Sequence, residues 1–151
     1  MSNRFRLGIV LRLREMAEET ARIDLGHALE NHHHAVTEVQ AAQGRAGQEL
    51  HWLSELQHGT SDGGQLQAAV YAVAAAQRVI VTSQERLARA TDALFEARRL
   101  LADATRQREV VERLRDRFLM AERRDREHKD TLAMAEIAST QHAIRVARER
   151  R

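Results

Sequence analysis

The chain has no cysteine, no proline, one lysine (Lys129) and five aromatic residues among 151. Without cysteine there is no disulfide framework, no thiol nucleophile and no thiolate metal site. Without proline the commonest helix stop is missing. Five aromatics are too few to centre a compact globular core, because such rings usually supply much of the buried area. The longest uninterrupted apolar run, Ala68 to Ala76, falls far short of the roughly 18 residues needed to cross a bilayer. Arginines interrupt the would-be apolar stretch at the start, MSNRFRLGIVLRLRE, which spoils a secretory signal. A soluble, cytoplasmic protein is expected.

What remains is helix-forming. The chain holds 25 alanines and 23 arginines, and a sequence rich in Ala, Glu, Leu and Arg carries the composition of long helices and coiled coils. Twenty-four basic and 22 acidic side chains leave a formal net charge of +2, so the chain is no polycation. The arginines are interleaved with acids at i, i+4 spacing, as in Glu109/Arg113 and Glu122/Arg126. That spacing favours solvated ion pairs over a continuous basic face. With aromatics for base stacking also missing, no nucleic-acid partner is expected.

Only HGTSDGG, residues 58 to 64, breaks the helical pattern. Gly59 can take the left-handed conformation that stops a helix, and Asp62 with Gln65 three residues later resembles a capping box. The expected organisation is a single coiled-coil domain over 1–151: helix 5–58, turn 59–64 and helix 65–148. On the second helix Leu66, Val73, Ile80, Leu87, Leu94 and Leu101 recur every seven residues, each followed three later by Ala69, Ala76, Ser83, Ala90, Ala97 and Ala104. This is a coiled-coil seam. At Arg108 the pattern predicts a slip, with resumption at Val111/Leu114, Phe118/Ala121, Asp125/His128 and Leu132/Ala135. The first helix keeps the spacing at Leu25/Ala28, His32/Ala35, Val39/Ala42 and Leu53/Leu56, weakened by Arg14, Glu18 and Glu49.

A short turn makes the two helices antiparallel. Centred on Asp62, it pairs residue k with about 124 − k and sets Phe5 opposite Leu119. The fold class is therefore all-α: a two-helix antiparallel coiled-coil hairpin with a longer, overhanging C-terminal helix. Beyond Met120 about 45 Å of helix has no intrachain neighbour. Its Leu132, Met134, Ile137, Ile144 and Val146 call for a partner, since isolated helices draw most of their stability from packing.

The histidines invite a metal reading, because His27, His34 and Glu30 share a helix face. The stretch predicted opposite offers only Asp92 and Glu96, so no metal or other cofactor is expected. Phosphate-binding loops need several glycines ending in Lys-Ser/Thr, and Lys129 sits between His128 and Asp130 with no glycine near. A two-helix hairpin also lacks a concave pocket. No enzymatic activity is expected. Two surface features stand out: arginine-rich ends (Arg4, Arg6, Arg12 and Arg14; Arg145, Arg148, Arg150 and Arg151), which suit an acidic partner, and the stretch from Ala69 to Val81, where Val70, Tyr71, Val79 and Val81 face outward near the turn.

The opening FRLGIVLRLREMAEETARIDLGHAL resembles the start of the FliJ family, small coiled-coil proteins of the flagellar type III export apparatus. The segment VVERLRDRFLMAERRDREHKDTLAMAEIA is similar to that family's C-terminal signature, with Val111, Glu112 and Leu114 at its core. In LAMAEIA, Glu136 and Ala138 match and Ala135 replaces the family's aspartate. The resemblance implies a non-catalytic stalk whose paired termini enter a hexameric export ATPase and promote its assembly and activity. It further implies contacts with an export-gate membrane protein and with export chaperones, at the cytoplasmic face of the inner membrane and peripheral to it through partners only. On that reading Arg4, Arg6, Arg12, Arg14, Arg145, Arg148 and Arg150 would face the ATPase ring. Val70, Tyr71, Val79 and Val81 are set apart for the gate or a chaperone on the residues alone. A self-associating structural coiled coil and an injectisome stalk relative are the alternatives.

Overall fold

The computed structural model describes residues 2–60 and 62–149, with side chains in 8–60 and 62–148. Two helices account for nearly all of them: α1, Ser2–His58, and α2, Gly63–Glu149. They pack against each other as a helical hairpin. The chain divides into two compact units, one of residues 15–105 and one of residues 1–14 with 106–151.

The unit of residues 15–105 holds the turn and the tightest packing. The seam read from the sequence is the buried line on α2 from Ala69 onward: Ala69 is fully buried, Val73, Ser83, Leu94 and Ala97 are buried, and Ile80, Leu87 and Leu101 are half-buried, whereas Leu66, expected at its start, is exposed. Its partner on α1 runs through Ala35, Val39, Ala42 and Ala46. Small residues on both sides let the backbones approach, so layers of one large and one small side chain fill the space between them. Each buried Leu or Val contributes roughly 1.5–3 kcal/mol. Antiparallel pairing follows the expected offset: Arg86 Nη1 meets Glu38 Oε2 at 3.5 Å. Nearer the far end of the unit, Thr105 Oγ1 donates to Glu18 Oε1 at 3.0 Å.

At the turn, the Asp62 carbonyl accepts from the Gln65 and Leu66 amides at 3.0 and 3.2 Å, which starts α2 immediately after it. A Cβ added at Gly64 would lie 3.3 Å from Asp62 Oδ2, so glycine leaves room for the side chain at the start of the helix. No glycine among the described residues has a positive φ. The left-handed stop expected at Gly59 therefore does not end α1.

In the unit of residues 1–14 and 106–151, Leu11 and Val111 are buried, and Phe118 and Leu119 half-buried. The predicted slip at Arg108 does not occur. Arg108 and Glu122 stay half-buried on the original seven-residue spacing, although Arg115 between them is exposed, whereas Leu114 is 48% exposed and Ala121 is exposed. The cause is local: Arg108 Nη1 lies 2.6 Å from Glu112 Oε2, one turn on. The side chain can keep its aliphatic stem in the seam while the charge reaches a partner. From 123 to 145 every residue of α2 is exposed. Phe5, set opposite Leu119 by the expected pairing, has its side chain outside the described residues.

Candidate interaction surfaces

The arginines expected to meet a partner fall into two groups that do not converge. Arg14 Nη1 donates to Gln107 Oε1 at 2.6 Å, which fixes the N-terminal group beside the first part of that unit's α2 segment. Arg145 lies roughly 57 Å farther along the helix at its standard rise. Arg12, Arg14, Arg145 and Arg148 are all exposed, whereas the side chains of Arg4 and Arg6, and Arg150 itself, lie outside the described residues. The two arginine-rich ends thus form two separate stations. Arg145 also lines a shallow depression with Ala138, Gln141 and His142.

Elsewhere, apart from the Arg86–Glu38 pair between helices, charges pair mainly along one helix. Arg113–Glu109 and Arg126–Glu122 both close at 3.4 Å, as their spacing predicts. Arg99 bridges Glu96 and Asp103, its Nε 2.9 Å from Glu96 Oε2. That hydrogen bond, with the guanidinium's charge, holds the Glu96 carboxyl below its ordinary range and raises Arg99 in turn. Both groups are solvent-exposed, so these pairs add little stability.

The histidines stay dispersed. His27, His33 and His34 are exposed and His32 is half-buried in the seam. His34 Nδ1 reaches Glu38 Oε1 at 3.5 Å along its own helix. Among the described residues no group of three or more His, Asp or Glu side chains comes together in a way that could hold a metal.

The outward apolar residues near the turn are where the sequence puts them. Val70, Tyr71, Val79 and Val81 are 51, 64, 49 and 55% exposed. Val70 and Tyr71 share a shallow hollow with Gly63, Leu66 and Gln67. Val79 lies on the opposite flank, in a groove of about 270 Å³ whose floor includes Ala42, Ala72 and Ala76 and whose rim carries Arg45 and Glu49. Leu50 and Trp52 of α1 are also exposed. They are visible in the sequence only once the hairpin pairing is applied, because their own helix shows no apolar run there. α2 also contains an 18-residue window of mean hydropathy 1.2 with at most two charged residues, enough by length and composition to cross a membrane. Counting unbroken apolar runs misses it, because Gln77 and Arg78 interrupt the stretch.

No family model, curated protein or solved structure matches the chain.

Proposed function

We propose that this protein is a non-catalytic helical-hairpin adaptor whose exposed α2 segment is gripped by a partner protein. We further propose that the partner is the hexameric ATPase of a flagellar export apparatus. One observation carries the first part: residues 123–145 are exposed throughout, and Leu132, Met134, Ile137 and Ile144 are at least half exposed on a helix that is buried against no other described residue there. A helix of that length gains most of its stability from a packed face, and a partner would supply one. The FliJ resemblance at the two terminal motifs supports the choice of partner.

In this reading the protein promotes assembly and turnover of the ATPase ring, while the apolar surface near the turn meets the export-gate membrane protein or an export chaperone at the cytoplasmic face of the inner membrane. The two arginine stations, Arg12 and Arg14 on α1 and Arg145 and Arg148 on α2, give the ring two points of contact. The test is capture of a purified hexameric export ATPase by the full chain, with ATP hydrolysis followed in parallel. Capture together with faster hydrolysis supports the reading. A stable tetramer of the chain alone that ignores the ATPase would favour the self-associating alternative.

A further inference from the structure

We propose that the flank of the hairpin carrying Arg45, Glu49 and Val79 is a docking surface for a second copy of this chain, met antiparallel about a two-fold axis. This goes beyond the stalk reading and does not depend on it. The surface lies wholly within the unit of residues 15–105, and Val70 and Tyr71, on the other flank, stay free for a gate protein or chaperone. The groove of about 270 Å³ over Ala42, Ala72 and Ala76 runs on into a second of about 260 Å³, which shares Ala42, Arg45 and Val79 and ends at Glu38 and Arg86. Trp52, three residues after Glu49 and seven after Arg45, continues the same stripe of α1 toward the turn. It is 39% exposed, and Val79 is 49% exposed. The facing stripe of α2, Ala72, Ala75, Ala76 and Val79, carries no charge.

Charge selects the occupant. Arg45 and Glu49 stand one helical turn apart, the spacing at which Glu109/Arg113 and Glu122/Arg126 close into pairs. Neither side chain makes an ion pair or hydrogen bond among the described residues. In a closed two-fold interface the surface is self-complementary: where residue i meets j, j meets i. An axis crossing the flank midway between Arg45 and Glu49 brings each arginine to the glutamate of the second copy, which closes two ion pairs. The same axis sets Trp52 over Ala42 of the second copy, since 42 and 52, like 45 and 49, are equidistant from 47. The largest side chain of the stripe thus enters the other copy's groove. On α2 the hairpin offset, fixed by Arg86 and Glu38, puts the centre near 77 and aligns Ala75 with Val79, and small residues there let the helices approach. A parallel arrangement would instead lay Arg45 and Glu49 on Val79 and Ala75, which desolvates both charges without a partner. A lipid surface would leave Glu49 facing headgroup phosphates. The shared face, from 38 to 52 on α1, is about 20 Å long. That is small for a permanent interface, so the dimer is weak and reversible, with a dissociation constant of roughly 1–100 μM.

Sedimentation of the full chain at concentrations from about 1 to about 300 μM, with Trp52 emission followed in parallel, reads the association. A monomer–dimer equilibrium and a blue shift of Trp52 that grows with concentration are expected. Arg45→Glu and Glu49→Arg should each weaken self-association about tenfold, because each sets like charges against one another twice. Their equimolar mixture should recover a heterodimer, in which both contacts join opposite charges. Trp52→Ala should weaken dimerisation about tenfold or more, with helicity by circular dichroism unchanged in all three variants. A chain that stays monomeric throughout overturns the proposal. So does a mixture of the two charge variants that associates no better than either alone. Association that both charge variants leave intact, and that Leu132→Asp with Ile137→Asp abolishes, overturns it as well and assigns self-pairing to the exposed segment of α2. No ATPase is present in this experiment, so its failure leaves the stalk reading untouched.

Discussion

Thr105 of α2 donates a hydrogen bond to Glu18 of α1 across the hairpin, Oγ1 to Oε1 at 3.0 Å, at a seam position where the spacing calls for an apolar side chain. Glu18 is 92% shielded from solvent, and Arg22 Nη2 approaches the same oxygen at 3.5 Å. A polar group at a coiled-coil core position fixes register at a cost in stability. Thr105→Val should therefore lower stability by about 1 kcal/mol, the usual net worth of such a bond. Glu18→Leu should raise it by about 1 kcal/mol, because an apolar side chain replaces a desolvated carboxylate. Thermal unfolding followed by circular dichroism reads both changes, and a loss of stability in Glu18→Leu would show that the carboxylate is needed for more than register.

Ala69 is the most tightly enclosed side chain of the core, with no accessible surface. Enlarging it forces the helices apart or the new side chain off its rotamer, a penalty of roughly 1–3 kcal/mol. Ala69→Leu should lower the unfolding midpoint accordingly. Ala68→Leu, one residue away on the exposed surface, should leave it within about 0.5 kcal/mol.

How much of this was legible beforehand varies along the chain. Ala69 to Ala104 declare their packing through a seven-residue repeat, because each layer needs one large and one small side chain at fixed spacing; Leu66, the first residue of that repeat, is exposed beside the turn. The antiparallel offset follows from the position of Asp62 alone. Arg108 misleads for a physical reason: its long stem fills a core position while its charge reaches Glu112, so a polar letter there does not mark a slip. Gly59 misleads because a glycine only permits a left-handed turn. The separation of Arg14 from Arg145, by contrast, was legible, because the turn position and the unequal helix lengths already set the N-terminus beside the middle of α2.

Acid should weaken the Glu96–Arg99–Asp103 bridge. The Glu96 carboxyl is held below its ordinary value by the Arg99 hydrogen bond. Its contribution is therefore complete above the unfolded carboxylate range and is lost as pH falls through the folded value. Arg99 is shifted upward and keeps its charge throughout. In low salt, the unfolding midpoint of Glu96→Gln should fall less between neutral and acidic pH than that of the parent chain. High salt should erase the difference, because both groups face water.

Charge reversal separates the two arginine stations. Arg145→Glu with Arg148→Glu should weaken capture of the ATPase about tenfold or more at low salt while leaving the unfolding midpoint unchanged, since both side chains are exposed. Arg14→Glu should also disturb the hydrogen bond to Gln107 and lower the midpoint slightly. Capture that ignores both changes would remove the arginines from the interface.

The central claim, that the exposed segment of α2 exists to be gripped, is tested most directly by hydrogen exchange of residues 123–145 in the full chain, alone and with a hexameric export ATPase. The account predicts fast exchange alone and strong protection in the mixture, with Leu132→Asp plus Ile137→Asp abolishing that protection and leaving the 15–105 unit unaltered. Protection already present in the isolated chain, or exchange that the ATPase does not slow, would contradict it.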